Sequence, residues 1–114
     1  MTAQILLNDI YNNLNAQSIV DTKKEFYETW LNRSNSYLRY LKHTHKQPSA
    51  DALAICSSKL KYYSKLIKTK YPNKHNDLTN SFDNFANQID NIIFSNSKAK
   101  WLKLLEHTND TTIH

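Results

Sequence analysis

The side chains with the most chemistry to offer lie in a short helical pattern that covers residues 34–43. Few apolar residues anchor this pattern, so one side of it is predicted to face solvent. That side carries an amide, a hydroxyl, a guanidinium, a phenol and an imidazole, on Asn35, Ser36, Arg39, Tyr40 and His43. Groups of these types donate and accept hydrogen bonds. We therefore expect this helix to recognise a ligand, and the charge around it points to DNA.

Positive charge is concentrated around this pattern. Residues 21–74 contain twelve Lys or Arg against four acids, a local net charge of +8, within a chain whose overall net charge is +5. Residues 75–114 contain three Lys against five acids, a local net charge of −2. A basic patch attracts phosphate and gives salt-sensitive binding to nucleic acids. Taken by itself, the charge also fits a solvated lysine-rich face.

Neither a metal site nor an active site is indicated. His43 and His45 are two residues apart, so a helix would point them in different directions, and the other histidines are scattered in predicted loops at His75, His107 and His114. There is no HExxH spacing and only one cysteine, Cys56. A chain without glycine has no glycine-rich phosphate loop, and no nucleophile has a His–acid pair nearby in the sequence. We expect no enzyme, no metal and no other cofactor.

The composition predicts one all-α domain of five to six helices. A chain of 114 residues can bury a modest core. Glycine is absent and alternating β-branched runs are missing, which argues against β-hairpins. A single cysteine rules out an internal disulfide, and we find no signal peptide and no apolar run of the roughly 20 residues that span a bilayer. A cytoplasmic protein without membrane contact is therefore expected.

Apolar spacing predicts a first helix over residues 2–15, a connection over residues 16–21, and a second helix that ends near Leu31. Thr22 and Glu25 form a capping box at the start of the second helix, because the hydroxyl can accept the Glu25 amide while the carboxylate reaches back to the cap amide. The second helix then places its aromatic residues on one face, at Phe26 and Trp30.

The third helix follows after a break of about three residues, which forces two short helices to cross. Asn32 suits a left-handed helix stop. Ser34 is predicted to cap the third helix, which buries Leu38 and Leu41 together with part of Tyr37.

A long fourth helix is predicted from a Ser49 cap to about Lys70. Its buried stripe comprises Ala52, Leu53, Cys56, Leu60, Tyr63 and Ile67, and its exposed side carries Lys59, Lys61, Lys65 and Lys68.

The fifth helix opens at Asn76 or Asp77 and has the strongest amphipathic pattern in the chain, formed by Leu78, Phe82, Phe85, Ile89, Ile92 and Ile93. Its polar face is acidic and rich in amides, at Asp83, Asn87, Asp90 and Asn91. Residues 95–97 are predicted to turn, and Ser97 to cap a last short helix that holds Trp101, Leu102, Leu104 and Leu105.

The spacing of serine, apolar and proline residues between residues 34 and 60 is similar to that of a known protein family. They read Ser34-x-Ser36-Tyr37-Leu38-x-x-Leu41, six residues, Pro48-Ser49, three residues, Leu53, six residues, Leu60. This pattern resembles the Cro/CI-type (Xre-like) helix-turn-helix, in which the serine caps the recognition helix and a Pro-Ser step starts the next core helix. The match covers roughly residues 22–62. Asn32 replaces the usual turn glycine, and Glu28 stands where the family has a small residue at the helix crossing.

The resemblance implies sequence-specific binding to double-stranded DNA and assigns two sets of contacts. Base-edge contacts would come from Asn35, Ser36, Arg39 and Tyr40, since Asn can pair with adenine, and Arg with guanine, through two hydrogen bonds. Phosphate contacts, which fix register without reading sequence, would come from Lys23, Lys24, Ser34, Lys42, His43 and Lys46. A small transcriptional regulator of bacterial, phage or plasmid type is the expected function. An accessory DNA-binding role in plasmid mobilisation or phage packaging shares this chemistry.

This interpretation divides the chain into a helix-turn-helix domain over residues 1–72, a helical extension over residues 73–106 and a flexible tail over residues 107–114. Helix-turn-helix proteins commonly bind two half-sites as dimers, so a homodimer is expected. The apolar stripe of the extension either closes the core or forms the dimer seam, together with Trp101 and Leu105. The alternative function is a small helical adaptor or inhibitor that keeps the fold without reading DNA, which the acidic C-terminal third and Glu28 favour.

Overall fold

The computed structural model describes residues 2–107, which form five α-helices and no strand. The helices are α1 (Ala3–Ala16), α2 (Lys23–Trp30), α3 (Tyr37–Thr44), α4 (Ala50–Lys70) and α5 (Asn76–His107). The all-α prediction is confirmed. Within the same residues, no helix combines the length and the hydropathy that crossing a bilayer requires.

The capping box of α2 forms with one change. The Thr22 hydroxyl accepts a hydrogen bond from the Glu25 amide at 3.1 Å, as the spacing predicts. The Glu25 carboxylate accepts from the amide of Asp21 at 2.9 Å, one residue before the cap. α1 and α4 begin in the same way, because the hydroxyls of Thr2 and Ser49 each accept an amide three residues on. Hydroxyl caps therefore fix three of the helix starts.

Connections in this glycine-free chain rely on other residues in the left-handed conformation. Five of them have φ between 53° and 62°, namely Ser18, Asn32, His45, Asn73 and His75. Asn tolerates this conformation better than other non-glycine residues, so the predicted left-handed stop at Asn32 is confirmed. The three that are not Asn, namely Ser18, His45 and His75, each adopt a strained backbone conformation that costs on the order of 1–3 kcal/mol, which the surrounding packing must offset.

α3 begins two residues later than predicted, so Ser34 is not its cap. Ser36 occupies the N-cap position but makes no capping hydrogen bond, because its hydroxyl bonds to that of Ser34 at 2.9 Å. The Tyr37 amide donates to the Ser34 carbonyl at 3.0 Å. α2 and α3 are therefore joined by six residues, 31–36, and not by about three. Asn35 and Ser36 lie in this connection rather than on the helix.

The core lies where α1, α2, α4 and α5 meet. Its largest fully buried side chains are Phe26, Phe82, Leu6, Ile10, Leu14, Leu31, Leu53, Leu60, Ile89 and Val20. The remaining members of the α5 stripe pack against this cluster in a partly buried state, at Leu78, Phe85, Ile92 and Ile93. Of the two predicted uses for that stripe, the structure thus supports closure of the core.

Polar groups of α4 and α5 pair across the helix interface, an arrangement that the spacing within either helix does not predict, although Lys61 and Lys68 are exposed as expected. Asp90 accepts hydrogen bonds from Ser57 at 2.6 Å and from Lys61. One heptad away on both helices, Lys68 donates to Asp83 at 2.6 Å. The repeat runs in opposite directions along the two helices, so α4 and α5 form an antiparallel hairpin. We call these two groups the α4–α5 seam.

α5 is one continuous helix, and the predicted turn at residues 95–97 and the separate short helix capped by Ser97 are wrong. Ser and Asn lower helix propensity only slightly, and no glycine or proline interrupts the chain here. The 32 residues of α5 span about 48 Å, against about 31 Å for the 21 residues of α4. Residues 94–106 are all exposed, and we call them the α5 overhang. The predicted tail loses His107 to α5, and residues 108–114 lie outside the described part.

Candidate nucleic-acid interface

α3 lies at the surface and is seated by the residues that the sequence predicts. Leu41 is buried, whereas Tyr37 and Leu38 are half-buried against the core. The Tyr37 ring meets the edge of Tyr27 on α2 at a centroid distance of 6.5 Å, and its hydroxyl accepts the Ser49 amide at 3.0 Å. One side of α3 is thereby attached both to α2 and to the start of α4.

Arg33 fixes the α2–α3 connection, a role that the sequence does not indicate. Its guanidinium donates to the Ser49 hydroxyl at 3.0 Å and to the Asp51 carboxylate at 3.1 Å. The same group lies 5.7 Å from the centroid of the Tyr37 ring. Asp51 is 18 residues away in the chain, so no local spacing could reveal the pair. The charge of Arg33 is used to hold α3 in place.

The four predicted base-contact residues are all exposed, and they form two groups. Asn35 and Ser36 belong to the connection before α3, and the Ser36 hydroxyl is engaged with Ser34. Arg39 and Tyr40 lie on the helix itself. Within residues 2–107 no hydrogen bond or ion pair holds the Arg39 guanidinium. The Tyr40 ring stacks on Tyr37 at 6.4 Å with an interplanar angle of 19°, which leaves it 47% exposed.

The six predicted phosphate-contact residues are likewise exposed: Lys23, Lys24, Ser34, Lys42, His43 and Lys46. Lys42 and His43 lie on α3 itself, and the structure brings two of the others close to it. The Lys46 ammonium lies 5.9 Å from the centroid of the Tyr40 ring and donates to the Tyr40 hydroxyl at 3.4 Å. Lys23, at the start of α2, lines a crevice of about 40 Å³ together with Leu38 and Leu41. The beginning of α2 therefore lies beside α3, whereas no contact links Lys24 to α3 within the described residues.

Ion pairs within residues 2–107 occupy three cations, and the cations of α3 are not among them. Lys61 and Lys68 are neutralised in the α4–α5 seam, and Arg33 is neutralised by Asp51. Lys59 is half-buried, with its ammonium 5.0 Å from the Trp30 ring centroid. By contrast, the cations on and beside α3 have no ion pair within residues 2–107: Lys23, Lys24, Arg39, Lys42 and Lys46. Unpaired positive charge therefore lies at α3, and also on α4, where the exposed Lys65 and Lys70 form no ion pair within residues 2–107 either.

Comparison with protein-family models adds a classification. Residues 7–102 match the model of a family of unknown function, DUF6626. The protein belongs to this family. No curated protein and no solved structure matches the chain. The matched range contains the whole of α2, α3 and α4 together with most of α1 and α5.

Glu28 does not lie at a helix crossing in this DUF6626 protein. It is exposed on α2, whereas its neighbour Tyr27 is 8% exposed and Leu31 is fully buried. The prediction was wrong because the large residue that meets α3 is Tyr27, through its contact with Tyr37. Glu28 therefore places no bulk between the two helices.

Titratable groups with altered pKa values lie in the core and in the α4–α5 seam. Burial raises the pKa of Cys56 to about 12, against the opposing charge of Lys59. Partial burial acts to raise the pKa of Asp90, but hydrogen bonds from Lys61 and Ser57 and the Lys61 charge outweigh it and lower the pKa. Asp83 shows the same balance, and its pKa is also lowered. Across residues 2–107 no three His, Cys, Asp or Glu residues are grouped so as to hold a metal ion.

Proposed function

We propose that this protein binds double-stranded DNA in a sequence-specific manner, with α2 and α3 as a Cro/CI-like helix-turn-helix and α3 as its recognition helix. The observation that carries the proposal is the outer side of α3, where Arg39 and Tyr40 face solvent among cations that have no internal ion pair. A helix anchored on one side and exposed on the other can enter the major groove, which is about 12 Å wide.

The exposed groups fit the two kinds of contact that such an interface needs. The free guanidinium of Arg39 can pair with guanine O6 and N7, and the Asn35 amide with adenine N6 and N7. Lys23 and Lys46 flank α3 and are suited to phosphates, which position a protein on the duplex. We propose regulation of transcription by occupancy of an operator, in a protein of bacterial, phage or plasmid type that acts in the cytoplasm.

A homodimer belongs to this proposal, since a single recognition helix makes few base contacts and helix-turn-helix dimers read half-sites about 34 Å apart. The surface that supports it is the α5 overhang. Phe94 is 69% exposed and Trp101 is 50% exposed. The two residues are seven apart and therefore share one side of the helix.

Sedimentation velocity tests the dimer. Replacing Phe94 and Trp101 together by serine is expected to convert a dimer into a monomer. Tyr62→Ser is the matched control, because Tyr62 is 61% exposed on α4 and away from the overhang. A wild-type protein that sediments as a monomer at high concentration contradicts the proposal.

Selection of bound duplexes from a random pool, followed by a salt titration, tests DNA binding itself. We expect an enriched sequence motif and a log–log salt dependence with a slope near −0.9 for each phosphate contacted. Absence of binding at low salt, or an affinity that does not change with salt, refutes the proposal. That result would favour the adaptor function, for which the exposed aromatic residues of the overhang offer a binding surface.

A further inference from the structure

The face of α5 that packs on the core is apolar up to Ile93, and the continuation of this face along the α5 overhang carries polar and basic side chains. Positions seven residues apart lie on one line of a helix, since seven residues make about two turns. Along one such line, the buried Phe82 and Ile89 are followed by Asn96 and Lys103. The apolar face that closes the core thus becomes polar and basic beyond Ile93.

A neighbouring line shows the same change. Here the buried Ala86 and the partly buried Ile93 are followed by Lys100. Lys100 and Lys103 are exposed, and neither forms an ion pair within residues 2–107. Two unpaired cations therefore occupy the inward face, while Phe94 and Trp101 occupy a different one.

This basic face borders a groove whose opposite wall is the α3–α4 connection. The groove has a volume of about 670 Å³ and is lined by Asn96 and Lys100 on one wall and by Gln47 and Pro48 on the other. Gln47 directly follows Lys46, whose carbonyl accepts a hydrogen bond from the Gln4 side chain at 3.4 Å. The α5 overhang therefore lies next to the segment that leads out of the recognition helix.

We propose that Lys100 and Lys103 form a second phosphate-binding element, which contacts the backbone of a duplex whose major groove holds α3. The proposal rests on the proposed function and adds a contact outside the helix-turn-helix. Phosphate is the favoured ligand because the two cations form no ion pair within residues 2–107, and Lys100 lies beside the connection that carries Lys46, with Lys103 one turn further along α5. These contacts add affinity and salt dependence without adding sequence preference.

Two double variants with equal charge test the proposal. Lys100→Gln with Lys103→Gln removes the element, whereas Lys65→Gln with Lys70→Gln removes two exposed lysines of α4 that lie elsewhere. Both lower the net charge by two. Fluorescence anisotropy on a selected duplex, over a range of KCl concentrations, gives the slope of log Kobs against log salt concentration. We expect a slope shallower by about 1.8 in the first variant, since each phosphate contact contributes about 0.9.

The control variant is expected to keep the wild-type slope, and both variants are expected to select the same motif. Equal slopes in the wild-type protein and both variants, or an equal reduction in both variants, overturn the second element alone and leave the α3 proposal intact. Failure of the wild-type protein to bind any duplex refutes both. Circular dichroism confirms that the variants remain helical.

Discussion

Arg39 and Lys23 differ in what surrounds them, and this difference separates reading from positioning at the level of single residues. The Arg39 guanidinium is exposed on α3 and has no hydrogen-bond or ion-pair partner among the described residues, whereas the Lys23 ammonium lies 5.7 Å from the Tyr11 ring centroid at the start of α2. Arg39 is therefore free to approach a base edge. Lys23 lies beside the helix, where the proposed duplex would place a phosphate.

Alanine substitutions convert this distinction into a prediction. Arg39→Ala should weaken binding to the selected duplex by about 1–3 kcal/mol and leave binding to a scrambled duplex almost unchanged. Lys23→Ala should weaken binding to both duplexes to a similar extent, because a phosphate contact carries no sequence information. Anisotropy titrations on the two duplexes provide the measurement. If both variants lose specific and non-specific affinity in the same proportion, the assigned division of roles is wrong.

Single residues also show where local sequence patterns stop being informative. The hydroxyl caps at Thr22 and Ser49 follow from spacing, because donor and acceptor are three residues apart. The predicted Ser34 cap does not form, because the Ser34 hydroxyl bonds to the hydroxyl of Ser36, two residues further on, and not to a backbone amide of α3. The role of Arg33 could not be predicted, since Asp51 approaches it only after α4 has packed.

At the level of whole helices, amphipathic spacing predicts correctly which faces are buried in the core, but it does not predict the course of the chain where no packing occurs. The apolar repeat identifies the core faces of α1, α4 and the first half of α5, because burial there follows a period of 3.6 residues. Beyond residue 93 no such requirement acts, and the polar stretch at residues 95–97 looks like a turn although the helix continues. The ion pairs of the α4–α5 seam could not be predicted for a related reason. Lys61 and Asp90 each lie on the polar side of their own helix, and only the packing of α4 against α5 brings them together.

The α4–α5 seam predicts how stability responds to acid. The folded-state pKa values of Asp83 and Asp90 are lowered, so the carboxylates stabilise the fold fully above their ordinary pKa near 4. This contribution is lost as the pH falls through the lowered pKa values. Asp83→Asn with Asp90→Asn should therefore be less stable than the wild-type protein at pH 7 and approach its stability once the pH falls below the lowered pKa values.

Urea unfolding at several pH values measures this effect. The difference at pH 7 should be modest, because both carboxylates are partly exposed and such ion pairs contribute about 0–1 kcal/mol each. Asp9→Asn is the control, since Asp9 is exposed on α1 and forms no ion pair within residues 2–107. A double variant that differs from the wild-type protein by the same amount at every pH would show that ionisation of the seam carboxylates does not contribute.

At the scale of the whole fold, α4 connects α3 to the hydrophobic core. Its first residues receive the contacts of Tyr37 and Arg33, and its buried stripe packs between the other helices. Displacement of α4 would therefore disturb both the core and the seat of α3. Leu53 lies on this helix one turn after the Ser49 cap and is 1% exposed.

Leu53→Ala should lower the free energy of unfolding by about 2–5 kcal/mol, because it leaves a cavity among several helices. Stability of a domain of this kind is on the order of 5–15 kcal/mol, so the loss affects the entire fold. Leu66→Ala is the matched control on the same helix, since Leu66 is 40% exposed and its loss should cost much less. Urea unfolding can be followed by the emission of Trp30, which is 4% exposed, in a Trp101→Phe background. Equal destabilisation by the two variants would contradict the placement of Leu53 in the shared core.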